Sequence, residues 1–281
     1  MASKNNKKDN KNKKKINTKK ESYAGFIKSR NFKWTVIGTA IIVVIVLVAV
    51  FNPFFEPPAS IHPDTYYKVS DGDLLSNGSS AVFFLSWIGC PIGATDSWAI
   101  YSAINSTSDI YSHVALHTAD PKDIYSNGVV GQPGLLFKNN FTFTTSGHKF
   151  TFYPLYMYNQ TMTGTVNNTT INGTLASYGL SLINETYPAK VAAMFNRYAA
   201  DITYKGHLET TFIITGPHGT YILNAFMYDP GATLGTPISP KSPEAGYWSP
   251  NSPQYVWTHL SESKNIKDAA GTFSGYLAKA K

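Results

Sequence analysis

From Trp34 to Phe55 no residue carries a charge, and Ile41 to Val48 is apolar without a break. About 22 residues at about 1.5 Å each reach across a hydrocarbon core of about 30 Å. The run is too long for a strand and shows no amphipathic stripe with which to face a core, so it predicts a transmembrane helix at 34–55. Asn52 to Pro63 holds Pro53, Pro57, Pro58 and Pro63, and 56–63 is read as a stiff, Pro-rich spacer.

Beyond the spacer the pattern changes to short apolar runs. Ala81 to Trp87 is continuously apolar and aromatic but for Ser86, as in a strand covered on both faces. A tight loop, Ile88 to Gly93, leads into a helical pattern in which Ala94, Trp98, Tyr101 and Ala103 recur with Ile100 and Ile104 up to Asn105. Asp96 falls in its first turn, where the helix dipole favours an anion. Alternation over Tyr111 to His117 predicts another strand.

Phe141 and Phe143, then Phe150, Phe152, Pro154, Tyr156 and Tyr158, predict two strands joined through Ser146 and Gly147, with Pro154 at an edge or bulge. Residues 159–174 are polar and read as an exposed loop. Pro188 opens a helix whose Val191, Met194, Phe195 and Tyr198 share a face. Phe212 to Ile214 and Tyr221 to Leu223 flank Gly216-Pro217-His218-Gly219 as a hairpin. Six prolines between Asp229 and Pro253 predict irregular chain. Ser252 and Pro253 then start a helix with Val256 and Leu260, and a last helix carries Ile266, Ala269, Phe273 and Leu277. Residues 64–281 thus read as one α/β (α+β) domain.

Charge orients this plan. Of 24 Lys and Arg residues, twelve lie between Lys4 and Lys33 against only Asp9 and Glu21, so the net +7 of the chain resides in its first 33 residues. A tail this polar cannot form a core, and 1–33 is read as a disordered basic tail. Its basic end abuts the start of the apolar run, and the positive-inside rule places it in the cytoplasm with 64–281 outside the plasma membrane. A cleaved signal peptide would have a shorter apolar core and a small-residue cleavage site, whereas this run ends in Phe51-Asn52-Pro53-Phe54-Phe55. The tail suits the anionic inner leaflet, and without interleaved aromatics no nucleic-acid partner is expected.

Eight Asn-x-Ser/Thr sequons, at Asn77, Asn105, Asn140, Asn159, Asn167, Asn168, Asn172 and Asn184, all follow the apolar run. They favour a glycosylated outer surface, with a glycosylatable insertion around 159–186. The partners expected are the lipid bilayer through 34–55 and envelope proteins or glycans.

Little familiar catalytic chemistry is present. No Gly-rich phosphate loop precedes a Lys, and Gly216 to Gly219 reads as a turn. Of the seven histidines, His113 and His117 would share a strand face but stand about 13 Å apart, too far for one metal ion to bridge. No metal or other cofactor is expected. The one cysteine, Cys90, is either a small buried apolar group or, at the strand-to-helix turn, a thiol made reactive by the helix N-terminus.

The segment Val82 to Ala94, with Trp98 and Ala99, resembles the active-site region of thioredoxin-like proteins. It is most similar to an uncharacterised family of membrane-anchored proteins from Sulfolobales archaea, in which a Cys-Pro-x-Cys motif opens a helix. Cys90 and Pro91 match the first half of that motif. Gly93 stands where the second cysteine belongs, and Ser97 where a basic residue is common. The repeats around Phe141 to Phe143 and Phe150 to Phe152, and the hairpin Phe212 to Phe226, extend the likeness loosely over 64–281. The resemblance implies a thioredoxin-like extracytoplasmic domain with insertions. Thr210 and Thr211 occupy the stretch where such folds carry a cis-proline facing the active-site loop.

A dithiol oxidoreductase needs a neighbouring cysteine to resolve the mixed disulfide, and this chain has none. Three functions remain open. The first is a redox-degenerate cell-surface domain used for interaction or envelope structure. The second is a monothiol oxidoreductase or isomerase using Cys90 with an external thiol. The third is an adhesive β-rich module, for which 93–105 would not be helical.

Overall fold

The computed structural model describes residues 37, 39–41, 55–75, 78–105, 109–123, 131–145, 147–229 and 252–281. The expected basic tail lies outside them, as does the expected membrane span except for 37 and 39–41, which are helical, and 55. Among the described residues no helix is long and apolar enough to cross a membrane. The chain divides into two units, Met1–Phe55 and Glu56–Lys281.

The second unit is a mixed α/β domain around a six-stranded sheet. Its strands are β1 (Tyr66–Ser70), β2 (Ser80–Ser86), β5 (Phe141–Thr145), β6 (His148–Tyr156), β9 (Thr211–Gly216) and β10 (Gly219–Asn224). They lie in the order β1-β10-β9-β2-β6-β5. β2 and β6 run parallel, and the other neighbours are antiparallel. A separate ribbon pairs β3 (Val114–Thr118) with β4 (Pro133–Phe137), and β7 (Thr203–Tyr204) pairs with β8 (His207–Leu208). The helices are α1 (Pro91–Ile104), α2 (Leu175–Thr186), α3 (Ala189–Arg197), α4 (Pro253–Thr258) and α5 (Lys264–Ala280).

The apolar run of β2 is explained by its place in the middle of the sheet, where all seven residues are buried. Successive side chains point to opposite faces. Val82 and Phe84 meet Phe212, Phe152, the α1 residues Trp98 and Ile104, and the α5 residues Phe273 and Leu277. Ala81, Phe83 and Leu85 pack with Ile213, Ile222, Ile183 of α2, and Val191 and Phe195 of α3. Phe84 alone has ring contacts with Phe137, Phe152, Tyr156 and Phe212. Truncating a ring so placed costs about 3–5 kcal/mol.

Several elements differ from the sequence reading. Residues 110–113 form a 3-10 turn, so the strand expected from Tyr111 begins only at Val114. Pro154 lies in an interior strand, but β5 ends its pairing at Phe141 opposite Phe152, so the missing N–H falls beyond that neighbour. The insertion expected to be largely exposed contains α2. Thr174 caps this helix reciprocally with Ser177, and Ile183 anchors it in the core.

The expected spacer is tied down as well. Ile61 is buried and its N–H donates to Asp201, while Tyr198 and Arg197 donate to the carbonyls of Pro58 and Pro57. The β-rich module without a helix at 93–105 is set aside by α1, which spans those positions up to Ile104.

Candidate functional site

Cys90 is the N-cap of α1, with extended backbone and no capping hydrogen bond from its side chain. Pro91 suits the first helical position because its fixed φ fits a helix and its missing N–H would have had no intrahelical partner. β2 delivers the chain to this point through Trp87, and the Cys90 N–H closes the turn on the Trp87 carbonyl at 3.1 Å. α1 is buried on nearly every side, from Pro91 through Tyr101 and again at Ile104. The main sheet and α5 cover it from one direction and the β3–β4 ribbon from another.

The sulfur is sealed in. Cys90 is 3% exposed, and Sγ shares a hydrogen bond with Thr210 Oγ1 at 3.0 Å. Thr210 Oγ1 in turn lies 2.8 Å from Ser86 Oγ, which donates to the Trp87 carbonyl at 3.4 Å. Each hydroxyl has one proton to give. With the thiol neutral, the chain therefore runs from Cys90 S–H to Thr210, to Ser86, to the Trp87 carbonyl. Thr210 immediately precedes β9, and the domain has no cis peptide bond among the described residues.

Two segments remote in sequence, 117–120 and the one around Gln160, clamp the loop. His117 Nε2 donates to the Ile88 carbonyl at 2.6 Å, and the Asp120 N–H to the Gly89 carbonyl at 2.8 Å. Gly89 packs so closely on Gln160 that a Cβ would overlap the Gln160 carbonyl. Gln160 also reaches the carbonyl of Thr118 at 3.2 Å.

Burial pushes the Cys90 thiol up to about 12. The Thr210 hydroxyl and the backbone N–H groups of Gly93 and Ile92 pull the other way and are outweighed. The helix N-terminus does favour the thiolate, as expected from its position. Desolvation is larger and reverses the expectation of an activated sulfur. Burial also holds His117 below its ordinary value, and the hydrogen bond to the Ile88 carbonyl pulls the other way.

Asp96 is the second departure. It is fully buried and lies in the second turn of α1, not the first, because the helix begins at Pro91, and one carboxylate oxygen accepts the Met227 N–H at 2.8 Å. Its other oxygen and the Tyr66 hydroxyl are buried without a hydrogen-bond partner among the described residues. Burial raises both groups well above their usual ranges; the nearby Asp64 charge adds to the rise at Asp96, and Asp96 adds to that at Tyr66. The helical pattern in the sequence starts at Ala94, which puts Asp96 in the first turn, whereas the helix itself begins three residues earlier.

Six sequon asparagines are exposed: Asn105, Asn140, Asn167, Asn168, Asn172 and Asn184. Asn77 lies outside the described residues. Asn159 is buried, contrary to the exposure expected of its loop. Its amide donates to Thr163 and Asn168, and its carbonyl accepts the Thr163 N–H. Among the described residues no group of three or more His, Cys, Asp or Glu side chains could hold a metal ion.

A family model described as Domain of unknown function (DUF929) matches residues 65–279. No curated protein and no solved structure matches the chain.

Proposed function

The chain belongs to the family of domains of unknown function DUF929, and on that premise we propose that its domain is thioredoxin-like, redox-degenerate and used for interaction at the cell surface. The sheet order supports the fold assignment. In β6-β2-β9-β10 the first two strands are parallel and the next two antiparallel, and a helix opening at a cysteine follows β2. α1 and α5 share one face of this sheet, and α2 and α3 lie on the other. A thioredoxin-like domain is expected to have this arrangement. The Cys-Pro half-motif and its similarity to Sulfolobales proteins favour the same lineage.

One observation carries the functional half: the only thiol in 281 residues is buried and held as a hydrogen-bond donor beside Thr210. Disulfide exchange needs a thiolate and access for in-line attack, and then a second thiol to release the product. Burial disfavours the first two, and the chain does not contain the third. The N-terminal charge asymmetry and the uncharged run at 34–55 support anchoring in the plasma membrane with the domain outside.

The test is to label the native full chain with a thiol-specific disulfide reagent at pH 8, before and after unfolding, and to assay it for insulin reduction alongside Cys90→Ser. Labelling is expected only after unfolding, with no difference between the two proteins in the assay. Rapid native labelling with turnover that is lost in Cys90→Ser would replace this reading with a monothiol enzyme.

A further inference from the structure

Sugar attachment is not the only chemistry open to an asparagine. Asn-Gly occurs three times in the chain, at Asn77, Asn127 and Asn172, and of these asparagines only Asn172 lies among the described residues. It is exposed and outside helix and strand. Neither its side-chain amide nor the Gly173 N–H has a hydrogen-bond partner among the described residues.

The fold dictates the glycine. Gly173 has a φ of 92°, a conformation in which a side chain is strained. A Cβ there would also stand 3.2 Å from Ser177 Oγ. That atom accepts the Thr174 N–H at 3.1 Å and donates to the Thr174 carbonyl at 2.8 Å in the cap of α2. On the other side Ile171 packs against the core. The chain thus turns at 172–173 between two fixed points, and the turn needs a residue without a side chain.

The same lack of a side chain opens the Gly173 nitrogen to attack on the neighbouring amide. Other asparagines are held or screened. Asn159, Asn168 and Asn184 each commit a side-chain amide atom to a hydrogen bond, and Asn184 also lies within α2. Asn140 precedes Phe141, and the exposed Asn167 precedes Asn168, so in both a side chain crowds the following nitrogen.

We propose that Asn172 is a self-modifying site, at which the native chain deamidates to aspartate and isoaspartate in any molecule that carries no sugar there. The Gly173 nitrogen gives up its proton and bonds to Asn172 Cγ. The Cγ–Nδ2 bond breaks and ammonia leaves, which closes a five-membered succinimide. Water then adds at one of the two ring carbonyls. Opening at Cγ gives aspartate with the main chain restored, and opening at the Asn172 carbonyl carbon gives isoaspartate, with an extra methylene in the main chain. Amide and water thus become carboxylate and ammonia, with no oxidant or other reactant. A negative charge appears two residues before the cap of α2. The sequon loses its asparagine, so sugar attachment and deamidation exclude one another at this position. None of this rests on Cys90 or on the side of a membrane that the domain occupies.

The full chain, made without glycosylation, is kept folded at mildly alkaline pH and sampled over days, and each asparagine is followed by mass spectrometry of its proteolytic peptide. Asn172 is expected to lose its amide about tenfold or more faster than Asn167, with aspartate and isoaspartate both present at that position. Gly173→Ala should slow the loss about tenfold or more and leave Asn167 as it was. Should that variant strain the cap enough to unfold the domain, Asn172→Gln carries the test. Its longer side chain closes a six-membered ring poorly while Gly173 stays, so amide loss at the position should vanish. An Asn172 no faster than Asn167, or aspartate without isoaspartate, would overturn the proposal. Equal amide loss in Asn172→Gln, or conversion seen only in urea-unfolded chain, would overturn it as well.

Discussion

The α-carbon of Gly93 packs so tightly on Ser86 that a Cβ there would overlap Ser86 Oγ and stand 3.3 Å from Ser86 Cβ. The position where a second cysteine would complete a dithiol motif is thus filled by the end of β2. Gly93→Cys alone should destabilise the domain by about 1–3 kcal/mol, because the core must shift to admit the side chain. Adding Ser86→Ala should recover part of that loss and permit a disulfide to Cys90. Denaturant melts and free-thiol counts would show both effects. A Gly93→Cys protein as stable as the native one would show that the glycine is not there for space.

Thr210 offers a finer probe of the same site. It bridges Cys90 and Ser86 and is fully buried, so Thr210→Val keeps the shape while removing both hydrogen bonds. The expected cost is about 1–3 kcal/mol, since Ser86 and Cys90 lose a buried partner. When the thiol ionises, the Thr210 hydroxyl can turn its proton from Ser86 to the thiolate, and that bond pulls the thiol pKa down against burial. Its removal should therefore move thiol ionisation to still higher pH. The rate of iodoacetamide alkylation against pH checks the direction, and a shift toward neutral pH would contradict it.

Asp96 should leave a signature in the pH dependence of stability. Its folded pKa is raised, chiefly by burial, so the native state holds its proton more tightly than the unfolded chain does. Its stabilising contribution is complete below the unfolded value near 4 and is lost as pH rises through the folded value. Glu209 acts with the same sign, also mainly through burial. His117 and His207 are held low by burial, so they oppose this by costing stability as pH falls below about 6.5. Subtraction isolates Asp96: the stability of Asp96→Asn minus that of the native chain should rise with pH, by at most about 1.4 kcal/mol per unit. Urea unfolding from pH 4 to pH 9 measures it. A flat difference would mean that Asp96 is not proton-linked to folding.

These particulars show where sequence reading stops. The buried run Ala81 to Trp87, the helix after Cys90 and the hairpin around Pro217 were legible because each encodes its own periodicity. The state of the Cys90 sulfur was not. Local sequence places it at a helix N-terminus, but its cover comes from His117, Asp120, Gln160 and Thr210, which converge only through the ribbon and β9. α2 escaped notice for a similar reason. Its strong signals are a Thr-Ser cap and one buried face anchored by Ile183, set within a polar, sequon-rich stretch.

Glycan occupancy should follow hydrogen bonding and not sequence motif alone. Asn167, Asn168 and Asn172 stand exposed on one loop, and Asn105, Asn140 and Asn184 are exposed elsewhere. Asn159 carries a sequon of the same form, yet its amide nitrogen is committed to Thr163 and Asn168 at 3.2 and 2.9 Å. Attaching a sugar to that nitrogen after folding would remove a donor from a buried site and push a bulky group into the turn that Asn159 organises. Glycopeptide mass analysis of protein from the native host is therefore expected to show added mass at some of the six exposed sites and none at Asn159. Asn159→Ala separates the structural role from any modification, since it breaks the bonds to Thr163 and Asn168 and should cost about 1–3 kcal/mol even in protein made without glycosylation. If Asn159 proves occupied while the Asn167 loop is bare, modification precedes folding of this turn, and the outward-facing assignment would stand on charge asymmetry with a different surface decorated. If all six exposed sites are bare in host protein, the sequons lend that assignment no support. Protease accessibility of the domain on intact cells would then decide it.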